Sequence, residues 1–297
     1  MLDDLNFNVD AVLLAGPTAS GKTSLAIEIA RQHNGVIINS DSMQVYDVLS
    51  LLTARPQEHE MQNIEHFLFG HVDPSTHYST AKWIEDVKTT LDDVKAKNKL
   101  PIFAGGTGLY FKTLLEGLSP VPAIDDAIRH KWRVFSQTAE PNELHDTLKE
   151  MDAQSAATLL PSDTQRLVRA IEVFESTGKP LHYWQSLGNE TPLLDSARVT
   201  KMVLLPEREI LRERAALRFD QMIEEGALRE VEALMRLDLS NDMPAMRAIG
   251  VSQLIAHLKN EMSLEQACEL SVNATRQYAK RQTTWLKNQF GDDWHRI

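Results

Sequence analysis

The chain has 297 residues, 42% hydrophobic and 25% charged, a globular composition with room for one α/β core and an inserted or appended module. The lone Cys268 excludes an intrachain disulfide, no apolar run approaches the roughly 18 residues of a membrane span, and the start Met1-Leu2-Asp3-Asp4-Leu5-Asn6 is acidic where a signal peptide would be basic, so a cytoplasmic protein without membrane contact is expected. The formal charge of −11 argues at face value against a polyanionic partner, although charge distribution matters more than its sum.

In chain order, the apolar run Ala11-Val12-Leu13-Leu14-Ala15 predicts a buried strand, and Gly16-Pro17-Thr18-Ala19-Ser20-Gly21-Lys22-Thr23 follows it directly. Residues 20–34 read as a helix closed by Gly35, and Val36-Ile37-Ile38-Asn39 as a second buried strand. A helix is expected from near Ser79, where Ile84, Val87, Leu91 and Val94 recur at helical spacing. It leads to the strand-like Pro101-Ile102-Phe103-Ala104, the turn Gly105-Gly106-Thr107-Gly108 and another helix. Strands alternating with helices predict a doubly wound parallel sheet of the α/β class. From Ser119-Pro120-Val121-Pro122 to about 196 only helical patterns occur. Met202-Val203-Leu204-Leu205 resembles a last core strand stopped by Pro206, and the remainder reads as helical to the C-terminus. The expected organisation is a P-loop core begun by residues 1–118, an inserted helical module over 119–196, and completion of the core with a basic terminal helix over 197–297.

Gly16 to Thr23 fits G-x-x-x-x-G-K-[ST]. In such a loop, here Pro17-Thr18-Ala19-Ser20 between Gly16 and Gly21, the glycines let the backbone N–H groups from Thr18 onward turn inward, Lys22 meets phosphate oxygens, and the Thr23 hydroxyl helps hold Mg²⁺. The following helix adds its positive dipole end. A Gly-rich turn that merely connects strand to helix is the bland alternative. Ligands of such sheets sit beyond the carboxyl ends of the strands, so Asp41 and Thr107 should face the same crevice. Asp41 has two readings, a Walker-B-type metal ligand acting through water or a general base. The 105–108 glycines suit either a tight connection or close approach of a ligand. Among Arg212, Arg214 and Arg218, one would be drawn to a diphosphate, and periodicity does not choose among them. Arg166 and Arg169 lie opposite an apolar helix face, and the histidines lack metal-ligand spacing. Residues 271–291 carry no acidic residue, yet hold Arg276, Lys280, Arg281 and Lys287 interleaved with Tyr278, Trp285 and Phe290. Arg276, Lys280 and Lys287 share one helix face, suited to a phosphate backbone or simply to solvent.

Together, GPTASGKT at 16–23, Asp41-Ser42-Met43-Gln44-Val45-Tyr46, Gly105-Gly106-Thr107-Gly108-Leu109-Tyr110 and Thr275-Arg276-Gln277-Tyr278-Ala279-Lys280-Arg281-Gln282 resemble the tRNA dimethylallyltransferase family over nearly the whole chain. The resemblance implies transfer of a dimethylallyl group from its diphosphate to the exocyclic N6 amine of the adenosine 3′ of certain tRNA anticodons. It implies that the P-loop and Arg218 hold the diphosphate with Mg²⁺ at Thr23, that Asp41 is the general base, and that Thr18 and Thr107 belong to the catalytic set. It further implies that Asp41, Ser42, Met43, Gln44, Thr107, Arg129, Gln165, Arg166, Leu167, Val168, Arg169, Arg247, Arg276, Lys280, Arg281 and Lys287 contact tRNA, with the helical module clamping the anticodon arm of a tRNA bound by a monomer. One segment departs: where the family tends to show Gly-Thr-Ala-Lys-Pro, this chain has Leu52-Thr53-Ala54-Arg55-Pro56. A small-molecule kinase would share the P-loop but leave the basic helix unexplained. Prenyl transfer to free adenine nucleotides would not need the helical module, and a P-loop switch that binds RNA would require a γ-phosphate sensor, which is not apparent.

Overall fold

Six parallel strands form the centre of the protein, in a computed structural model that describes residues 5–297. The acidic stretch Met1-Leu2-Asp3-Asp4 lies outside the described residues. The chain runs β1 (Ala11–Ala15), α1 (Lys22–Gln32), β2 (Gly35–Asn39), β3 (His66–Phe67), α2 (Thr80–Ala96), β4 (Leu100–Gly105) and α3 (Gly108–Glu116). Next come α4 (Asp126–Thr138), α5 (Pro141–Met151), α6 (Ala153–Ala156), α7 (Thr164–Thr177) and α8 (Leu181–Ser186). It finishes with β5 (Val199–Val203), α9 (Arg208–Glu225), α10 (Ala227–Met235), α11 (Val251–Leu258), α12 (Leu264–Gln289) and β6 (His295–Arg296). Two compact units result, one from the chain up to Leu115 with Leu193–Ile297, the other from Glu116–Pro192.

The sheet order is β3-β2-β4-β1-β5-β6, with every neighbouring pair parallel. The connection β1-α1-β2 crosses β4 in one direction, and the return through α2 to β4 reverses it. Right-handed crossovers then place α1 and α2 on opposite faces. Side-chain alternation agrees: Val12, Leu14, Ile37, Ile102, Ala104 and Met202 pack with Ala26, Ile27, Ile29 and Ala30 of α1. On the other face Phe103 meets Trp83 of α2 edge-on at 6.3 Å, and Trp83 stacks on Tyr110 of α3 at 4.0 Å. The chain therefore leaves β1 and β4, adjacent in the sheet, toward opposite faces, which opens a crevice at their carboxyl ends.

Local details differ from the sequence expectation for identifiable reasons. Gly35 does not terminate α1 but begins β2, while Asn34 takes the left-handed position at φ 50°. The glycine is needed for close packing, because a Cβ there would lie 2.7 Å from Ile102 Cδ1 and 3.0 Å from Ala30 Cα. The fifth strand begins at Val199, three residues earlier than its apolar run indicated, since buried Thr200 and Lys201 interrupt the pattern. Lys201 is accommodated by an ion pair to Asp293 at 2.5 Å and a hydrogen bond to Ser196 Oγ. The C-terminus is not helical throughout: Ile297 N donates to Val203 O at 3.0 Å, and its carbonyl accepts from Leu205 N at 2.9 Å, which docks β6 on the sheet.

The Glu116–Pro192 unit has its own core, in which Leu167, Ala170 and Ile171 of α7 pack with Trp132 of α4 and Leu144 and Leu148 of α5. Trp132 Nε1 donates to Glu175 Oε2 at 2.6 Å.

Candidate functional site

The P-loop leaves β1 at Ala15 and meets α1 at Lys22. Its entry is pinned to the neighbouring strand, Gly16 N donating to Gly105 O at 3.2 Å. Ala19 at φ 63° and Gly21 at φ 90° make the reversals that curl the loop, and Ser20 N closes it on Pro17 O at 3.2 Å. Lys22 reaches back inside the curl, Nζ donating to Pro17 O at 3.1 Å. Burial pushes its pKa down to about 8; the nearby Asp41 carboxylate opposes that shift and Arg218 adds to it. Lys22, Asp41 and Arg218 therefore share one electrostatic neighbourhood. Thr23 occupies the first turn of α1, next to Lys22 on the wall of a small cavity that Gln44 and His66 also line.

The structure separates the three arginines of α9. Arg218 is half-buried and donates to Ala54 O at 3.3 Å; Arg214, one turn earlier on the same face, lies over the P-loop with Nη1 3.5 Å from Ala19 O and 3.4 Å from Ser20 O. Arg212 is exposed and projects from a different helix face. The i, i+4 spacing of Arg214 and Arg218 was the available signal for the pair.

Asp41 follows β2 in a backbone clamp built by Asn39, which is fully buried. Asn39 Nδ2 donates to Asp41 O and Leu68 O, both at 3.0 Å, and its Oδ1 accepts from Asp41 N at 2.8 Å. Trp83 Nε1 holds Asn39 O at 3.0 Å. Asp41 Oδ1 accepts from Met43 N at 3.0 Å, which turns the chain into Ser42-Met43-Gln44. Tyr110 and Tyr278, both with phenol pKa values raised by burial, also feel the Asp41 charge, so the carboxylate faces α3 and α12 as well as the P-loop. Asn39 was missed in the sequence because it reads as the last residue of an apolar strand.

The 105–108 glycines serve close packing of the protein against itself. A Cβ on Gly105 would lie 2.0 Å from Ser40 O, on Gly106 2.2 Å from Gln282 Nε2, and on Gly108 1.9 Å from Trp285 Cζ3. The turn thus packs against the Asp41 segment on one side and α12 on the other. Thr107 Oγ1 accepts from Ser42 N at 2.9 Å and Thr107 N donates to Ser40 O at 3.1 Å, which joins two of the expected site residues. Gln282, buried in α12, accepts from Thr18 N and donates to Gly106 O, each at 2.9 Å.

The departing 52–56 segment carries its own solution. Leu52 is buried in the cluster that holds Val45, Tyr46, Leu49 and Phe219, and only Gly250, at φ 95°, leaves room for it: a Cβ there would be 3.2 Å from Leu52 Cδ2. The left-handed residue of the segment is Ala54 at φ 57°, so the freedom of glycine is not required at position 52. Arg55 lies across Gly70 and donates to Tyr46 O at 3.0 Å and Asp47 O at 3.1 Å.

Of the remaining expected contacts, Lys280 and Arg281 line an open groove along α12 with Gln277, Thr284, Trp285, Asn288 and Gln289. Arg276 and Lys287 share the helix face of Lys280 but do not line the groove, and Arg276 Nη1 bonds Asn273 Oδ1 at 3.4 Å. Arg247 is exposed at the end of a short 3₁₀ turn, Pro244–Arg247. In the Glu116–Pro192 unit, Gln165, Arg166 and Arg169 are exposed and Arg129 pairs with Asp126 at 2.8 Å. Leu167 and Val168 point into that unit's core, which removes their side chains from the set that can touch RNA. Buried Glu172 faces Arg133 at 3.6 Å and Arg169 at 3.9 Å. Among the described residues no group of three or more His, Cys, Asp or Glu could hold a metal ion, and no helix is long and apolar enough to cross a membrane.

Against known proteins, the IPP transferase family profile matches residues 44–289. The chain is 50% identical over 287 residues to a tRNA dimethylallyltransferase of Chelativorans sp., covering 97% of this chain and 98% of that protein. It is 49% identical over 297 residues to one of Allorhizobium ampelinum, covering 100% and 97%. Among solved structures, the full-length tRNA isopentenylpyrophosphate transferase of Bacillus halodurans superposes with a TM-score of 0.67 at 30% identity, over 97% of this chain and 89% of that one. A eukaryotic dimethylallyltransferase captured acting on tRNA superposes with a TM-score of 0.73 at 29% identity, over 93% and 69%. A P-loop, a carboxylate and two arginines gathered at the carboxyl end of a parallel sheet thus accompany similarity along the full chain, and the chain belongs to the IPP transferase family.

Proposed function

We propose that this protein transfers a dimethylallyl group from dimethylallyl diphosphate to the N6 amine of the adenosine 3′ of the anticodon in certain tRNAs. The observation that carries the reading is the curled P-loop itself, with Lys22 turned back onto Pro17 O, Arg214 over Ala19 and Ser20, and Arg218 and Asp41 near Lys22. The diphosphate lies in the loop, held by its N–H groups, Lys22 and Arg218, with Thr18 beside it. Arg214 closes over the same loop. As the allylic C–O bond breaks, the electron pair leaves on the diphosphate oxygen, where these donors stabilise it. The adenine N6 attacks the allylic carbon, a C–N bond forms, and the N6 proton passes to the Asp41 carboxylate. Proton loss is needed because the N6 lone pair is delocalised into the ring. The Asn39 clamp fixes the Asp41 backbone, and the bond from Met43 N orients the carboxylate for that role.

Mg²⁺ takes few protein ligands and relies on substrate phosphates and water, so the single Thr23 hydroxyl beside Lys22 is enough of a protein ligand. Thr23 would hold it, and when bound it neutralises the charge developing on the diphosphate. Thr107 and Ser42 hold the acceptor side, while Met43 and Gln44, the Lys280 and Arg281 groove, Arg276, Lys287 and Arg247 follow tRNA phosphate and sugar groups. Arg129, Gln165, Arg166 and Arg169 of the Glu116–Pro192 unit form a second basic surface, read here as a clamp on the anticodon arm. The target base leaves its stack to react, at a cost of a few kcal/mol offset by such contacts. The protein acts as a cytoplasmic monomer on this reading.

The test is incubation of purified protein with Mg²⁺, radiolabelled dimethylallyl diphosphate and, separately, unmodified tRNA, AMP and ATP. Label in tRNA alone is expected. Label in a free nucleotide alone, or in none of the acceptors, overturns the reading.

A further inference from the structure

One carboxylate outside the site is engaged entirely in holding a loop that touches the site twice. Glu230 lies on α10 and points at the turn that begins at Ser50. Its Oε1 accepts from Ser50 N at 2.5 Å, Ser50 Oγ at 3.0 Å and Leu51 N at 2.8 Å, and its Oε2 accepts from Leu52 N at 2.9 Å. Three successive backbone N–H groups converge on one anion, a concavity that an ionised carboxylate fills and a neutral amide does not. The turn closes on itself through Ala54 N to Leu51 O at 2.8 Å and Arg55 N to Ser50 O at 2.9 Å. Leu52, buried against Phe219 and Gly250, adds an apolar anchor beside the ionic one.

What the turn presents is a pair of carbonyls. Gln44 Nε2 donates to Thr53 O at 2.9 Å and to Ala54 O at 3.0 Å, and Arg218 Nη2 donates to Ala54 O at 3.3 Å. Both amide hydrogens of Gln44 are thereby committed, which fixes the amide plane and leaves its Oε1 oriented as an acceptor. The Ala54 carbonyl is shared between a residue on the acceptor side and the half-buried arginine on the donor side.

We propose that Glu230 is a positioning residue: by fixing the 50–55 turn it aims Gln44 at the tRNA acceptor and Arg218 at the diphosphate. The inference rests on the reading of Gln44 as a tRNA contact and Arg218 as a diphosphate contact. Gln44 donates two bonds to the turn and Arg218 one, so the tRNA side should respond more strongly.

The experiment is a double-mutant cycle on steady-state transfer, with Glu230→Gln, Gln44→Ala and their combination, measuring kcat and KM for tRNA and for dimethylallyl diphosphate. Each single variant is expected to raise the tRNA KM about tenfold and Glu230→Gln to raise the donor KM about threefold, the size of one lost hydrogen bond of each kind. The combined variant should be no worse toward tRNA than the poorer single variant by more than about twofold, because the second change removes an interaction already lost. Multiplicative losses in the double variant, with Gln44→Ala impaired alone, overturn the positioning role and leave the functional reading intact. An unimpaired Gln44→Ala overturns the reading of Gln44, and the proposal with it. Should Glu230→Gln fail to fold, Ser50→Ala removes a single bond of the same anchor and takes its place, with coupling or multiplicativity to Gln44→Ala deciding in the same way.

Discussion

Gln282 on α12 bonds Thr18 on the P-loop through Thr18 N, at 2.9 Å, and ties it to Gly106 O with the other end of the same amide. One buried side chain thus fixes the separation between the P-loop and the turn that carries Thr107. It does so from the helix whose outer face holds the Lys280 and Arg281 groove. A P-loop N–H that would otherwise seek a phosphate oxygen is engaged by the protein itself, so the loop is held open before any ligand arrives.

Gln282→Leu keeps the volume and removes both bonds, leaving Thr18 N–H and Gly106 C=O without the partner that buried Gln282 supplies. Each such group costs about 1–3 kcal/mol, so the variant is expected to lose about 2–6 kcal/mol in denaturant unfolding. Its KM for the diphosphate donor should rise more than its affinity for tRNA falls. Wild-type stability would show that the two groups find other partners and that Gln282 is not a tie.

Asp41 is held by Asn39 through its backbone, and its carboxylate is left for chemistry apart from the bond with Met43 N. Asp41→Asn preserves shape and that bond but cannot take a proton. Turnover is expected to fall by 10²–10⁴-fold, the usual contribution of general-base catalysis, with donor binding by calorimetry changed less than about threefold. Turnover within tenfold of wild type would exclude Asp41 as the base.

Lys22 gives the free protein a pH signature. Its folded-state pKa of about 8 lies below the ordinary 10.5, so between those values the unfolded chain binds more protons than the native one. Stability of the ligand-free protein contributed by this group is therefore least below pH 8 and rises through the window to 10.5. A bound diphosphate reverses the preference by stabilising the ammonium, so donor binding takes up a proton above pH 8. Donor Kd should rise with pH above that value, approaching tenfold per unit. Lys22→Arg, whose guanidinium stays charged, should flatten the dependence. A donor Kd that stays level from pH 7 to 9.5 in wild type would place the burial of Lys22 in error.

Much of this architecture was legible because its signals are local. The P-loop needs glycine and lysine at fixed spacing, β1, β2 and β4 are uninterrupted apolar runs, and Asp41 and Thr107 follow strand ends directly. What was not legible depends on partners distant in the chain. Lys201 broke the apolar run of β5 because its counter-ion, Asp293, lies 92 residues on. Gln282 carries no charge and no motif logic of its own, and its importance comes from meeting residues 264 and 176 positions away. The glycines at 105, 106 and 108 suggested a turn or a ligand, and only the folded chain shows that they make way for Ser40, Gln282 and Trp285. The substitution of leucine at position 52 looked like a loss of backbone freedom, yet the strained position is Ala54 and the leucine is core.

The groove on α12 supplies the last prediction. Lys280 and Arg281 are exposed along it, and Arg281 also sits 5.8 Å from the Tyr278 ring, so its guanidinium is steered toward the helix surface. Were each to neutralise one phosphate, Lys280→Ala and Arg281→Ala would each weaken tRNA binding and reduce the magnitude of the slope of log K against log salt by about 0.7–0.9. Arg276→Ala, outside the groove lining and already bonded to Asn273, should change the slope less. Filter binding across 50–300 mM salt reads all three. Equal slopes for wild type and the two groove variants would return the groove on α12 to solvent, and a larger effect at Arg276 would move the RNA path beyond the groove toward that residue.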